Sequence, residues 1–290
     1  MKAQQYRDEL ARGLDVTDLT SASSETPVPL RRYQSDLPPS GHPLLWVHGG
    51  AFVSGGLNQL ESHAVACALA KTGRTVYTVD YRLVKMWNVL RPLRGPLPGI
   101  RFPLPLDDVL EAFTLVQAAS RDGHAFLGGA SAGACLSAAA ALRMRDIGLE
   151  PPAGLILAYG TFHAALPPRS TELRSRTDGL RGLVQFTPGR TAKMNRNYAG
   201  TVPALQDPHA FPGGHDLHGL PATLMIDADH DTLRASGELF AEELTAADVA
   251  VNSSVIEGSW HGFLDRPRQP EFHEAIQRIT VWLDAADRQI

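Results

Sequence analysis

The sequence predicts an α/β fold, in which a mostly parallel β-sheet is flanked by helices on both faces. Short, continuously apolar segments recur along the chain, as is typical of strands that are buried on both faces. Longer segments with helical character lie between them, and this alternation indicates parallel strands joined by right-handed crossovers. The 290 residues, of which 43% are hydrophobic, are enough to bury one large core.

Strands and helices alternate along most of the chain. The clearest predicted strands are residues 43–48, 75–81, 125–127, 154–159 and 222–226, and a further strand passes through Val255 and Ile256. The predicted helices are residues 60–71, 106–118, 134–145, 233–244 and 271–287. Because neither an internal repeat nor a low-complexity linker separates these elements, we expect a single domain over residues 1–290.

Two segments break this alternation. Residues 84–101 hold four cations and no acid among three prolines and two glycines, and residues 163–220 are rich in Pro, Gly, Arg and His. Long irregular segments on compact folds often cover a pocket, so we expect a lid or pocket insertion at each, with plain surface excursions as the alternative. The cations of the first segment are a hypothesis for binding an acidic substrate, with Trp87 stacking on an aromatic group; a solvated basic loop is the alternative. These cations are Lys85, Arg91, Arg94 and Arg101.

Charge and composition limit the classes of partner. The formal net charge is −4 and the isoelectric point about 6.2, so we expect neither nucleic acid nor an anionic membrane as a partner. No apolar run approaches the ~20 residues of a membrane span. The N-terminal segment is charged and lacks the apolar centre of a signal peptide, so we expect a cytoplasmic protein. Cys67 and Cys135 lie in apolar, helix-like surroundings, where we expect buried, reduced thiols, and their spacing matches no zinc motif.

Ser131 is the candidate nucleophile. It lies at the centre of the run Gly129-Ala130-Ser131-Ala132-Gly133, between a predicted strand and a predicted helix. A serine on a sharp strand-to-helix turn is held in a strained, exposed position, and bulk two residues away on either side would clash. A turn of small residues that merely packs the helix on the sheet is the alternative interpretation.

A second motif follows the predicted strand at residues 43–48. The run is His48-Gly49-Gly50-Ala51-Phe52. Acyl transfer builds negative charge on a carbonyl oxygen, and fixed backbone N–H groups stabilise that charge. Glycines let the chain turn so that two amides face one point. We predict Gly49 and Gly50 as oxyanion donors with Ala132 as the third, and a tight turn without this role is the alternative.

His261 and Asp231 are the candidate base and acid. A serine hydroxyl is a poor nucleophile until a base removes its proton, and a carboxylate then holds the histidine tautomer and stabilises the imidazolium. The chain order Ser131, Asp231, His261 fits one arrangement of such triads. Asp227 and Asp229 are the alternatives for the acid. The competing interpretations are a surface histidine and an aspartate that caps the following helix.

With these motifs the chain resembles the hormone-sensitive-lipase-like branch of the α/β-hydrolases, which includes bacterial acetyl esterases and carboxylesterases. The resemblance extends from about residue 20 to residue 283. It rests on His48-Gly49-Gly50, Asp80-Tyr81-Arg82-Leu83, Leu106-Asp107-Asp108-Val109, Gly129 to Gly133, Asp231-x-Leu233-Arg234 and His261-Gly262-Phe263. The resemblance implies a central eight-stranded sheet, a cap near the site and hydrolysis of short acyl esters. It also implies the same roles for Ser131, Asp231, His261 and the oxyanion donors.

The chain departs from the family pattern in ways that concern the substrate. Ala51 replaces the usual third glycine, Ala130 the usual acid before the serine, and Ala134 the usual glycine after the turn. The usual Ala-Pro-Glu after Tyr-Arg-Leu is absent, and the N-terminal cap segment, residues 1–19, is short. We expect the substrate pocket to include Phe52, Trp87, Arg91 and Trp260.

The predicted function is that of a serine carboxylesterase, which hydrolyses short-chain or aryl esters through an acyl-enzyme intermediate without cofactor or metal. Its partner is then a small-molecule ester, and a homodimer is left open. An amide, lactone or formamide hydrolase with the same triad is one alternative, and a non-catalytic ligand receptor on this scaffold is another. A metal hydrolase is a third, although its candidate ligands fit no helical i, i+4 zinc pair. Those ligands are His209, His215, Asp216, His218 and His230.

Overall fold

Eight strands form one sheet in a computed structural model, which describes residues 3–22, 26–86, 96–178 and 186–290. The strands are β1 (Leu14–Thr20), β2 (Pro29–Ser35), β3 (Leu44–Val47), β4 (Val76–Val79), β5 (Phe126–Ala130), β6 (Gly154–Ala158), β7 (Thr223–His230) and β8 (Val251–Trp260). Their order across the sheet is β1-β2-β4-β3-β5-β6-β7-β8. The six strands from β3 to β8 are parallel, whereas β2 runs antiparallel to both β1 and β4. The predicted mostly parallel α/β sheet is confirmed.

Helices cover both faces of this sheet. They are α1 (Ala3–Leu10), α2 (Leu60–Ala70), α3 (Leu104–Ala119), α4 (Ala132–Asp146), α5 (Thr171–Thr177), α6 (Pro188–Ala199), α7 (Arg234–Ala246) and α8 (Pro270–Asp287). Two short 3-10 helices are Pro203–Gln206 and Phe263–Asp265. Within the described ranges, no helix is long and apolar enough to cross a membrane.

The buried strands pack apolar side chains against helices on each face. Successive residues of a strand point to opposite faces. Leu45 and Val47 of β3 accordingly pack in a cluster with residues of α3 and α4, whereas Leu44 and Trp46 pack in a second cluster with residues of α2 and α8. All four residues are buried, which explains why β3 is continuously apolar.

The N-terminal part of the chain differs from the expected cap segment. Residues 14–19, which we expected within that cap, belong to β1 at the edge of the sheet. The strand carries Asp15 and Asp18, and none of its residues is buried, so it lacks the apolar run that marks the central strands. The carbonyl of Arg7 in α1 lies 3.1 Å from His63 Nε2 in α2, which holds α1 near this edge.

The two irregular segments meet each other. Residues 163–220 contain α5 and α6, and the described ends of residues 84–101 have no helix or strand. The Leu97 N–H donates to the Gly200 carbonyl at 2.8 Å, just beyond the last residue of α6. A lid function for these segments stays a prediction, since the contact shows where they lie and not what they do.

Candidate active site

Ser131 forms the link between β5 and α4. It is the single residue between Ala130, the last of β5, and Ala132, the first of α4. Its φ of 53° and ψ of −117° are rarely adopted by an L-residue, and such strain is typical of a nucleophile on a sharp turn. The Ser131 N–H donates to the Ala158 carbonyl at 2.8 Å, which ties the turn to the end of β6.

The turn needs glycine on both sides. A Cβ on Gly129 would lie 2.6 Å from the Gly133 carbonyl carbon, and a Cβ on Gly133 would overlap the carbonyl oxygen of Val47 in β3. Neither position has room for a methyl group. The small residues therefore let α4 begin directly against the sheet, as the sequence pattern indicates.

Three polar side chains from different strand ends meet at this turn. Ser131 Oγ lies 3.0 Å from His261 Nε2, and His261 Nδ1 lies 2.6 Å from Asp231 Oδ2. Asp231 directly follows β7 and His261 directly follows β8, so all three lie at the carboxyl edge of parallel strands. This edge is where open α/β sheets bind their ligands. The three residues form a continuous hydrogen-bonded chain.

Asp231 is fixed by a second interaction. Its Oδ1 accepts the Leu233 N–H at 3.0 Å, so the same carboxylate also holds the turn that leads into α7. Asp231 is fully buried, whereas the His261 side chain is 21% exposed. The acid is shielded from water, whereas part of the histidine side chain is accessible to it.

Nearby carboxylates set the protonation of His261. Burial alone would lower its pKa, but the charge and hydrogen bond of Asp231 outweigh burial, with further help from Glu61. The pKa of His261 therefore lies above its ordinary value. A raised pKa strengthens the imidazole as a base.

The two alternative acids have other surroundings. Asp229 accepts the Gly258 N–H at 3.0 Å and pairs with Arg176 at 3.2 Å. Asp227 is buried against Gly237, and burial followed by the charge of Asp231 raises its pKa well above the ordinary value. Of the three aspartates, Asp231 is the one whose carboxylate is hydrogen-bonded to His261.

The glycine loop lies beside the nucleophile. A Cβ on Gly49 would lie 3.0 Å from Ser131 Cβ. Its N–H, however, donates to Glu61 Oε2 at 2.7 Å, so the prediction of a free oxyanion donor at Gly49 is wrong. The N–H groups of Gly50, Ala51 and Ala132 take part in none of the hydrogen bonds that join described residues.

The loop has an unusual backbone. Gly50, Ala51 and Phe52 have φ values of 107°, 54° and 65° in succession. Ala51 therefore adopts the positive φ that the missing third glycine would adopt without strain. Three such residues in a row turn the chain sharply.

His48 and Tyr81 hold this loop through hydrogen bonds to its carbonyl groups. His48 Nδ1 donates to the Gly49 carbonyl at 2.7 Å, and burial lowers the pKa of His48 to about 4. The Tyr81 hydroxyl donates to the His48 carbonyl at 3.1 Å, and the two rings stack with centroids 4.3 Å apart. The neighbouring Arg82 binds Asp108 of α3 with its Nη2 at 2.6 Å from Oδ1. Tyr81 thus anchors the loop, and Arg82 ties the segment after β4 to α3.

Three further residues near the site were not predicted from the sequence motifs. Glu61 in α2 accepts the Gly49 N–H, and the hydroxyl of Tyr159 donates to its other oxygen at 2.6 Å. The Tyr159 ring lies edge-on to His261 with centroids 5.1 Å apart, and Phe186 lies similarly at 4.7 Å. The single acid of a mostly apolar helix, in its first turn, is the signal that marks Glu61.

The predicted pocket residues have different outcomes. Phe52 is fully buried and stacks on Tyr198 with centroids 3.9 Å apart, so the structure places it in the core and not on an open pocket wall. Trp260 lies beside His230 with centroids 5.1 Å apart, and its role in binding stays a prediction. Trp87 and Arg91 lie outside the described residues, as does Arg94.

Arg101 holds the chain rather than facing a substrate. It is 6% exposed, and its Nη1 donates to the carbonyls of Lys85 at 2.8 Å and Ile100 at 3.2 Å. The guanidinium therefore joins the two described ends of the segment 84–101. The hypothesis that Arg101 is a cation of the pocket entrance is wrong in this structure.

Two of the candidate histidine ligands lie beside carboxylates, and for His218 that carboxylate is Asp216, itself a candidate. His209 Nε2 lies 2.8 Å from Asp146, and His218 Nδ1 lies 2.7 Å from Asp216. Across the part of the chain that the structure describes, no three His, Cys, Asp or Glu residues are grouped to hold a metal ion.

Comparison with known proteins finds similar sequences that are named as hydrolases. A family model described as alpha/beta hydrolase fold matches residues 44–265. The carboxylesterase NlhH of Mycobacterium tuberculosis is 31% identical over 254 residues, which are 83% of this chain and 72% of that protein. An ethyl acetate hydrolase of Pseudomonas putida is 30% identical over 260 residues, which are 85% of this chain and 74% of that protein.

Solved structures are similar over nearly the whole chain. An esterase of Pyrobaculum calidifontis has a TM-score of 0.78 and 26% identity, with 98% of this chain and 94% of that chain covered. A thermostable carboxylesterase cloned from a metagenomic library has a TM-score of 0.77 and covers 99% of this chain and 98% of its own. At 22% identity, the second likeness concerns the fold alone.

Proposed function

The chain belongs to the α/β-hydrolase family, and we propose that it is a serine carboxylesterase. The observation that carries this proposal is the unbroken chain of hydrogen bonds from Ser131 to His261 to Asp231, with lengths of 3.0 and 2.6 Å. This chain supplies a nucleophile, a base and an orienting acid at one strained turn. The relatives named carboxylesterase and ethyl acetate hydrolase support hydrolysis of a carboxylic ester here.

In the proposed mechanism, Ser131 Oγ attacks the carbonyl carbon of the ester while His261 Nε2 takes its proton. Asp231 holds the imidazole with Nδ1 protonated and stabilises the imidazolium that forms. His261 then donates the proton to the oxygen of the leaving alcohol. Water, deprotonated by the same histidine, attacks the acyl-serine; the bond to Ser131 Oγ breaks, the carboxylic acid is released, and His261 returns the proton to Oγ.

We assign the oxyanion donors to Gly50, Ala51 and Ala132. The Gly49 N–H is engaged by Glu61, whereas the three assigned amides have no partner among the described residues. The loop lies against the nucleophile, as the 3.0 Å approach of a Gly49 Cβ to Ser131 Cβ indicates. Removal of one such donor typically raises the barrier by about 3–4 kcal/mol.

Short-chain and aryl esters are the proposed substrates. The stacked rings of Phe52 and Tyr198 fill space next to the oxyanion loop, which favours a small acyl group. Phe186 places its ring near His261, where an aryl or small alkyl alcohol would leave. The ethyl acetate hydrolase relative supports a small substrate.

Nitrophenyl esters of increasing acyl length, with matched anilides and lactones, test the reaction. We expect turnover to be greatest for acetate and butyrate esters and to be abolished in Ser131→Ala. Ser137→Ala is the matched control, because Ser137 lies in α4 and donates to the Gly133 carbonyl at 2.8 Å. Faster turnover of anilides or lactones than of esters would indicate an amide or lactone hydrolase. Binding without turnover would indicate a receptor.

Two finer expectations belong to this proposal. We infer a cytoplasmic location, which is supported by two free, buried thiols at Cys67 and Cys135, since free cysteines suit a reducing compartment. A homodimer through α8 is a second expectation. Cell fractionation tests the location, and recovery outside the cytoplasm would contradict it. Light scattering on the purified protein tests the dimer, and a mass of one chain would contradict it.

A further inference from the structure

Glu61 is a buried carboxylate held in place on every side. It is 3% exposed. Its N–H donates to Asp265 Oδ1 at 2.9 Å, and its carbonyl accepts Trp46 Nε1 at 3.0 Å. Its backbone is therefore fixed at both polar atoms. A side chain on such a rigid base can position its partners closely.

The carboxylate of Glu61 joins two parts of the active site. Oε2 accepts the Gly49 N–H at 2.7 Å and a weaker bond from Gln59 Nε2 at 3.4 Å. Oε1 accepts the hydroxyl of Tyr159 at 2.6 Å. The ring of Tyr159 lies edge-on to the ring of His261 with centroids 5.1 Å apart. The oxyanion loop and the histidine are thus connected through one side chain.

The backbone turns sharply at Tyr159 and at the residue that follows Gly49. Tyr159 has a φ of 37°, and Gly50, next to the bonded amide, has a φ of 107°. Such conformations persist where surrounding contacts fix them. A buried carboxylate is itself unfavourable unless its oxygens are hydrogen-bonded. Burial raises the pKa of Glu61, and the hydrogen bonds from Tyr159 and Gly49 oppose that rise. The position therefore combines a buried carboxylate with two held backbone turns at the site of reaction.

We propose that Glu61 is a positioning residue of the hydrolase: its carboxylate holds the Gly49 amide away from the substrate, so that the next amides in the loop face the oxyanion, and through Tyr159 it fixes the ring of His261. This inference rests on the proposed function. Glu61 touches neither the substrate nor the nucleophile. It acts through the loop and through the tyrosine.

The direct test compares Glu61→Gln and Tyr159→Phe with two matched controls. Gln keeps the size of the side chain and removes the charge, and Phe keeps the ring beside His261 and removes the hydroxyl. Glu243→Gln is the control for a carboxylate, because Glu243 also accepts a loop N–H, that of Gly214 at 3.0 Å, outside the triad. Tyr77→Phe is the control for removal of a phenol hydroxyl from a buried strand.

We expect Glu61→Gln to lower kcat on nitrophenyl acetate by about tenfold to a hundredfold, as small misplacements of reacting groups do, with KM changed by about twofold or less. Tyr159→Phe is expected to lower kcat by about threefold to tenfold, since it breaks the bond between Tyr159 and Glu61 and leaves the bond from the Gly49 N–H. Both controls keep kcat within about twofold of wild type. If Glu61→Gln does not fold, the Tyr159→Phe comparison alone decides.

The pH profile gives a readout that a purely structural role does not move. His261 is faced by Asp231, Glu61 and Asp227, and Glu61 in turn is faced by His261 and Asp265. Loss of the Glu61 charge removes one group that favours the imidazolium. The acid limb of kcat/KM is therefore expected to move to lower pH in Glu61→Gln and to stay in place in Glu243→Gln.

The outcomes distinguish the positioning role of Glu61 from the proposed function. Unchanged kcat and an unchanged acid limb in both network variants, in an active wild type that depends on Ser131, would overturn the positioning role alone. An equal loss in Glu243→Gln would also overturn it. A wild-type protein without Ser131-dependent ester hydrolysis would instead remove the proposed function.

Discussion

Asp231→Asn separates the proton relay from the fold. In the wild type, the Leu233 N–H lies 3.0 Å from Asp231 Oδ1 and His261 Nδ1 lies 2.6 Å from Oδ2. Asparagine keeps a carbonyl oxygen that accepts the Leu233 N–H and turns its NH2 group toward His261 Nδ1. An NH2 group needs an acceptor at Nδ1, so the imidazole adopts the tautomer with its proton on Nε2. Nε2 then has no lone pair for the Ser131 proton.

The expected loss is large because the wrong tautomer removes the base. A change of this kind lowers kcat by about ten-thousandfold in serine hydrolases with this triad. That factor corresponds to about 5.5 kcal/mol in the activation free energy. Asp231 is fully buried, so water does not replace its carboxylate. The free energy of unfolding is expected to change by only about 1 kcal/mol, because the bond to Leu233 remains.

Steady-state kinetics on nitrophenyl acetate and thermal unfolding measure the two effects on the same samples. Asp229→Asn is the matched control, since Asp229 accepts the Gly258 N–H at 3.0 Å and is not bonded to His261. We expect that control to keep kcat within about threefold of wild type. An Asp231→Asn variant that folds and keeps more than about a tenth of the wild-type kcat would refute the assignment of the acid.

Three further results are expected. Gly133→Ala places a methyl group against the Val47 carbonyl, so chemical denaturation should show a free energy of unfolding lower by about 1–3 kcal/mol, and an unchanged value would contradict the packing. The pKa of His261 lies above its ordinary 6.5, so the acid limb of kcat/KM should have its midpoint above that pH, and a midpoint below it would count against the geometry. Burial opposes protonation of His42, but hydrogen bonds to Asp122 and Asp287 raise its pKa above 6.5. Protonated His42 therefore stabilises the fold fully below pH 6.5, and the stabilisation disappears as pH rises through the folded pKa. Urea unfolding should show His42→Gln to be most destabilising below pH 6.5, and the opposite trend would contradict this sign.

The central fold and the polar triad could be predicted because their signals are local. Ser131 and Asp231 each follow directly after a buried strand, and His261 follows the edge strand β8. Parallel strands bring their carboxyl ends to one edge of the sheet. The glycines around Ser131 are required by close backbone approach, which a short motif records. Such constraints are visible in the sequence without knowledge of distant contacts.

Other parts of the site depend on contacts between distant segments. The direction of the Gly49 N–H is set by Glu61, twelve residues later in the first turn of a mostly apolar helix. Phe186 reaches His261 from an irregular insertion without periodicity. The edge strand β1 was missed because none of its residues is buried. In each case the deciding partner lies elsewhere in the fold.

The most direct measurement is covalent trapping of the nucleophile. The protein is incubated with a fluorophosphonate, digested, and the modified peptide is identified by mass spectrometry. We predict one adduct per chain, on Ser131, and strongly slowed labelling in His261→Ala, because the imidazole no longer takes the hydroxyl proton. An unmodified Ser131, or an adduct on another serine at the same rate, would contradict the assignment of this residue as the nucleophile.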